Sequence, residues 1–166
     1  MKKITAALCV AAFALAACSS EESKKNDAQA AVKAILQQPE SAEFSGLQVG
    51  KADDSLICGK VGFRAGPINM YQGEHPFIYK SKIKRATVIE PISDFDFQFY
   101  FEDILDKKDV TEKAAKLKAE CEAPQIWEAN CSPAIDIAPH SLCRLIDKPQ
   151  LLEAEMYLRF RHYVIR

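Results

Sequence analysis

The sequence predicts an α+β fold: a small antiparallel sheet packed by an N-terminal and a middle helix, with a disulfide-stapled helical C-terminal extension. Three observations predict it. Apolar residues recur at helical spacing around residues 28–38, 110–122 and 149–163. Between the first two stretches lie short extended segments joined by short turn-rich links, an order that favours antiparallel pairing. Three cysteines, Cys121, Cys131 and Cys143, crowd into the last third of the chain.

Asp27 is placed to cap a helix from Ala28 to Gln38, with Ala31, Val32, Ile35 and Leu36 as its apolar stripe. Pro39 ends it, because the residue before a proline disfavours helical dihedrals. Leu47 to Val49 reads as a short strand and Ser55 to Arg64 as a longer one. Gly59 and Gly62 inside the longer strand point to a bulge or a close backbone approach. Ala65 to Pro76, with two glycines and two prolines, reads as a loop, and Phe77 to Tyr79 resumes an extended pattern. Lys82–Glu90 and Phe95–Glu102 then read as a hairpin turning at Pro91–Ser93. Phe95, Phe97, Phe99 and Phe101 fall on one face at a strict period of two.

Asp109 precedes Glu112 by three, the pattern of a capping box, and opens a helix from Val110 to Glu122. Val110, Ala114, Leu117 and Cys121 share one face, which directs Cys121 towards the sheet. Residues 123–148 read as irregular. A last helix spans Pro149 to Tyr163 with Leu152, Met156, Phe160 and Tyr163 inward. A strand over residues 157–166 is the alternative for its tail.

The N-terminus carries a different signal. Met1-Lys2-Lys3 is a short positive segment, and Ile4 to Ala17 holds no charge. Fourteen residues are too few for a helix across about 30 Å of hydrocarbon, which needs about 20. They suit the apolar region of a secretory signal. Leu15-Ala16-Ala17-Cys18 then resembles a bacterial lipobox, which implies cleavage before Cys18 and a diacylglycerol on its sulfur. Residues 1–17 are thus expected as a lipoprotein signal peptide and 18–27 as a polar lipidated tether. Residues 28–166 are expected as a single globular domain, comprising a core (28–121) and a C-terminal extension (122–166). Two or three acyl chains anchor stably where one does not. Ser19 stands where an aspartate retains enteric lipoproteins at the inner membrane, so the expected address is the cell envelope, at the outer membrane.

Removing residues 1–17, which hold two lysines and no acid, shifts the formal charge from −1 to −3. That balance argues against nucleic acid as a partner. Cys9 leaves with the signal and Cys18 is acylated. Cys58, Cys121, Cys131 and Cys143 remain in an oxidising compartment, where two disulfides are expected. The absence of a C-x-x-C pair argues against zinc, and no cofactor or metal is expected.

Several short motifs resemble a family of small secreted bacterial and phage-associated domains of uncharacterised function. Pro39, Ser41, Ala42 and Phe44 match its Pro-x-Ser-Ala-x-Phe element, and Cys58, Gly59 and Val61 its Cys-Gly-x-Val strand. Tyr71, Gly73, Phe77 and Tyr79 match its glycine-tyrosine loop, and Cys121 ends its helix. Gly62-Phe63-Arg64-Ala65 stands where the family carries an Asn-x-Lys-Asn run. The resemblance covers residues 28–121. It implies the α+β core and a Cys58–Cys121 disulfide, and no activity. Four cysteines allow three pairings. A strand cysteine facing the apolar stripe of a helix agrees with Cys58–Cys121, which leaves Cys131–Cys143. Cys121–Cys131 with Cys58–Cys143 is the competing arrangement.

No G-x-S-x-G, H-E-x-x-H, P-loop or EF-hand pattern occurs. His75, His140 and His162 each read as solvated side chains. Lys80, Lys82 and Lys84 invite an anion-binding reading, but the expected hairpin sets Lys82 opposite Glu102 and Lys84 opposite Tyr100, which partly neutralises that face. Lysines also guard a strand edge. Asp103, Asp106, Asp109 and Glu112 lack the glycine of a calcium loop and read as acids at a helix start. Trp127 is either a candidate binding residue or a core plug. The expected function is a membrane-anchored, non-catalytic envelope lipoprotein that binds an unknown envelope macromolecule. The alternatives are an inhibitor, immunity or exclusion lipoprotein against a toxin or phage, and an envelope hydrolase.

Overall fold

A computed structural model describes residues 20–164. The fold is α+β and divides into two compact units, with the boundary along the chain between Ala86 and Thr87. The first unit holds helix α1 (residues 20–33), a 3-10 turn at Pro39–Ser41, and strands β1 (Glu43–Val49), β2 (Leu56–Ala65) and β3 (Met70–Lys80). Strand β4 (Arg85–Val88) completes a four-stranded antiparallel sheet in the order β1-β2-β3-β4. The second unit holds α2 (Asp94–Leu105), α3 (Thr111–Asn130), a 3-10 segment (Ser141–Leu145) and α4 (Pro149–Val164).

β2 lies between β1 and β3, and nearly every residue from Leu56 to Phe63 is buried. Burial of both faces explains its near-continuous apolar run. Its glycines act as the sequence suggests. A Cβ on Gly59 would come within 2.8 Å of the Phe77 ring across the ladder, and one on Gly62 would strike the Tyr71 hydroxyl. A bulge follows between Gly62 and Arg64. Phe77 also meets Phe44 of β1 edge to face, with centroids 5.9 Å apart.

The region expected as a loop over 65–76 is mostly strand. Gly66 and Asn69 take left-handed dihedrals and the Asn69 N–H donates to the Gly66 carbonyl at 3.2 Å. That tight turn lets β3 begin at Met70, paired with Ala65. The expected tether and first helix also shift. Residues 20–27 are helical, Lys25 pairs with Glu21 at 2.6 Å, and the helix ends at residue 33 rather than 38. Ala28 and Val32 are its fully buried residues, while Ile35 is exposed.

The largest correction concerns residues 94–105, which are helix α2 and not the second strand of a hairpin. The Ser93 N–H and hydroxyl both donate to the Asp96 carboxylate at 2.8 Å, which satisfies the helix start. Phe97, Tyr100 and Phe101 then bury at helical spacing i, i+3, i+4, while Phe95 and Phe99 point to solvent. The cross-strand pairing of Lys82 with Glu102 does not exist. β4 is correspondingly short and ends at Val88.

α3 continues eight residues beyond Glu122 and passes through Pro124. An interior proline costs a helix about 3 kcal/mol. Burial of Ala123, Pro124 and Trp127 on the same stretch offsets that cost. Leu117 and Cys121 of α3 join Phe97, Tyr100 and Phe101 of α2, Leu142, and Leu152, Met156 and Phe160 of α4 in one cluster, with Val110 and Ala114 packed against it. The inward residues expected for α4 are therefore correct except Tyr163, which is exposed.

Cys58, Cys121, Cys131 and Cys143 are all disulfide-bonded. Cys121 bonds Cys143, with Cα atoms 5.3 Å apart. Both expected bridges, Cys58–Cys121 and Cys131–Cys143, are thus incorrect. The stripe that carries Cys121 faces the helical cluster rather than the sheet. Leu142 is buried in that same cluster and brings the neighbouring Cys143 alongside.

Candidate functional site

A half-open concavity lies in the helical unit. It is a cleft of about 370 Å³ floored by Phe99, Tyr100 and Leu117 and rimmed by charges of both signs. α2 places Asp96, Phe99 and Asp103 on its side, and α3 places Lys113, Lys116 and Glu120 opposite, at intervals of three and four. The short α2–α3 link puts Lys108 at one end. Lys107, at φ +56°, allows the chain to reverse there.

The rim is largely paired with itself. Asp103 accepts from Lys108 at 2.8 Å and from Lys113, and Lys113 also donates to the Phe99 carbonyl at 3.1 Å. These lysines hold the Asp103 carboxyl below the usual carboxylate range, while Asp103 raises the Lys108 ammonium. Asp103 and Asp106 therefore stand at the end of α2 as partners for lysine, not at a helix start. Asp109 does sit at a helix start, and its carboxylate accepts the Thr111 N–H at 2.9 Å.

Glu120 differs. Burial pushes its carboxyl up, Lys116 opposes the shift, and the nearby carboxylates of Asp96 and Glu90 add to it. A raised folded-state value means that the neutral acid fits the folded chain better. The associated stability is fully present below the ordinary glutamate value of about 4.3 and is lost as pH rises through the folded value. Glu120→Gln should therefore stabilise the protein at pH 7, by less than about 1 kcal/mol once screening is counted. The gain should vanish below about pH 4.3. Unfolding midpoints of both proteins at the two pH values check this.

The cleft contains no histidine, cysteine or serine. Its paired charges and aromatic rings suit contact with polar and aromatic side chains. Phe99 of this floor and Phe95, one helical turn away on α2, are 55% and 66% exposed. Aromatic side chains are enriched in protein interfaces relative to the rest of the surface. The sequence reading missed this face because it placed both rings in a core.

The residues singled out in the sequence lie elsewhere. Cys18 falls outside the described residues. Trp127 is 1% exposed and its indole N–H donates to the Pro133 carbonyl at 2.8 Å, so it is a core plug and offers no surface to a partner. His140 stacks on Phe97 with centroids 4.8 Å apart, and its Nε2 lies 3.2 Å from Asp94. Asp94 also accepts from Arg159 at 2.9 Å. His140 is thus a capping and packing residue, and its Nδ1 accepts the Leu142 N–H. His75 sits on β3, with Nε2 2.8 Å from the Gln72 carbonyl, and His162 is exposed on α4. Among the described residues no group of three or more metal-ligating side chains occurs, and no helix is long and apolar enough to cross a membrane. No family model, curated protein or solved structure matches the chain.

Proposed function

We propose that this chain is a lipid-anchored lipoprotein of the bacterial cell envelope, at the outer membrane, that acts without catalysis by binding another protein. The anchoring part rests on Met1-Lys2-Lys3, the uncharged Ile4–Ala17 segment and the Leu15-Ala16-Ala17-Cys18 motif. The Cys121–Cys143 bridge supports it, since such bonds persist in oxidising compartments. The binding part rests on one observation: two exposed phenylalanines, Phe95 and Phe99, beside a cleft with a charged rim. Buried aromatic anchors carry much of the energy of protein interfaces.

Cys18→Ala should abolish incorporation of labelled palmitate and leave an uncut or released form. Label that persists in that variant removes the anchor. For the binding face, a photo-crosslinking analogue of phenylalanine at position 99 in intact cells should give one dominant protein adduct. Phe95→Ala should weaken that adduct about tenfold or more, as loss of an interface anchor does. An adduct pattern unchanged by Phe95→Ala removes this face from the binding role. Both positions are exposed, so neither change disturbs the core.

A further inference from the structure

The β3–β4 turn carries a run of basic residues. Lys80-Ser81-Lys82-Ile83-Lys84-Arg85 places four cations in six positions, and no acid follows before Glu90. Glu102, which a hairpin would set opposite Lys82, belongs to α2. Residues 81–84 form the turn between β3 and β4, closed by the Ile83 and Lys84 N–H groups donating to the Lys80 and Ser81 carbonyls. Lys82, Ile83, Lys84 and Arg85 are all exposed, and the isoleucine at the apex is 63% exposed. Lysines alone would serve to guard a sheet edge. An isoleucine held out in water among them does not serve that purpose.

The turn's position gives it a role. The Ser81 N–H donates to the Ser55 carbonyl at 2.9 Å, which ties the turn to the β1–β2 connection. In that connection Asp53 feels the charge of both Lys82 and Lys24. Lys24 of α1 donates to the neighbouring Asp54 carbonyl at 3.1 Å. The turn and the first half of α1 therefore occupy the same end of the sheet. Cys18 precedes Lys24 by six residues, the last four of them helical steps. Six residues of chain span at most about 22 Å.

We infer that the β3–β4 turn is a second membrane contact, which docks on anionic phospholipid beside the lipid anchor. Lys82 and Lys84 meet the headgroup phosphates and Ile83 enters the boundary with the acyl chains. Basic residues beside a membrane gain affinity from anionic lipid, and an apolar side chain adds to it by burial. The anchor alone leaves the domain free to rotate; a second contact fixes which face turns outward. This inference rests on the lipid-anchor reading above.

The test uses the full chain with Ile83→Trp, titrated with vesicles of phosphatidylcholine alone or of phosphatidylcholine and phosphatidylglycerol at 7:3. The chain's own Trp127 is buried and supplies a constant background. Bromine-labelled acyl chains should quench the introduced indole in the phosphatidylglycerol vesicles and not in the neutral ones. Adding Lys82→Gln and Lys84→Gln should raise the lipid concentration needed by about 25-fold, at roughly fivefold per lysine. Quenching that is absent, equal in both vesicles, or unchanged by the two glutamines overturns the inference. Failure of the anchor is read separately, as loss of palmitate label from the wild-type chain. The titration then still reports on the turn, because it compares vesicle compositions on one protein.

Discussion

Phe97→Ala should cost about 3–5 kcal/mol in unfolding free energy, and Phe99→Ala, two positions away, less than about 1 kcal/mol. Phe97 is fully buried in the cluster built by α2, α3 and α4, where its removal leaves a cavity that a close-packed interior cannot refill. It also loses the stacked contact with His140. Phe99 lies one residue short of the buried stripe, and its ring already meets water. Chemical denaturation of the two oxidised proteins reads the difference. The contrast discriminates between folds as well as between sites. On a strand, residues 97 and 99 share a face and must behave alike. On a helix they stand 200° apart. Equal losses from the two substitutions would restore the strand.

That segment shows what a sequence yields and what it conceals. Four phenylalanines at alternate positions satisfy the strand template, but Phe97, Tyr100 and Phe101 satisfy the helical one. Tyr100 carries the decision, because on a strand it lies on the solvent face and on a helix it completes the stripe. Ser93 and Asp96 supplied a second sign, a capping pair at the right spacing, which the neighbouring Pro91 disguised as a hairpin turn. The helices that begin at Thr111 and Pro149 were legible from their apolar stripes, although the tail of the second also admitted a strand over 157–166. The end of α3 was not, since Pro124 breaks helices in isolation and survives here through burial beside Trp127. β3 was half hidden for a related reason. Gly73 and Pro76 lower its strand propensity, while nine residues of β3 pair with a central, largely buried β2. The candidate site was the least legible part. Exposure of Phe95 and Phe99 depends on the helix, and the freedom of Lys82 and Lys84 depends on the hairpin that did not form.

Loss of the Cys121–Cys143 bridge should be the other large effect. The bridge joins residues 22 apart, for which loop entropy gives about 3 kcal/mol. Cys121→Ala with Cys143→Ala should lower unfolding free energy by about that amount, since both cysteines pack on the cluster that holds Leu117 and Leu142. The pairing itself can be read chemically. Trypsin leaves residues 119–144 on one peptide, because no lysine or arginine lies between Lys118 and Arg144. Further cleavage at Glu122, Glu128 and Asp136 separates Cys121, Cys131 and Cys143 onto different fragments. Without reductant, the fragment carrying Cys121 should remain joined to the one carrying Cys143. A fragment joining Cys121 to Cys58 or to Cys131 would refute this bridge and place the stripe of α3 against a different neighbour. The helical register that puts Cys121 among Phe97, Phe101 and Met156 therefore stands or falls with a single mass measurement.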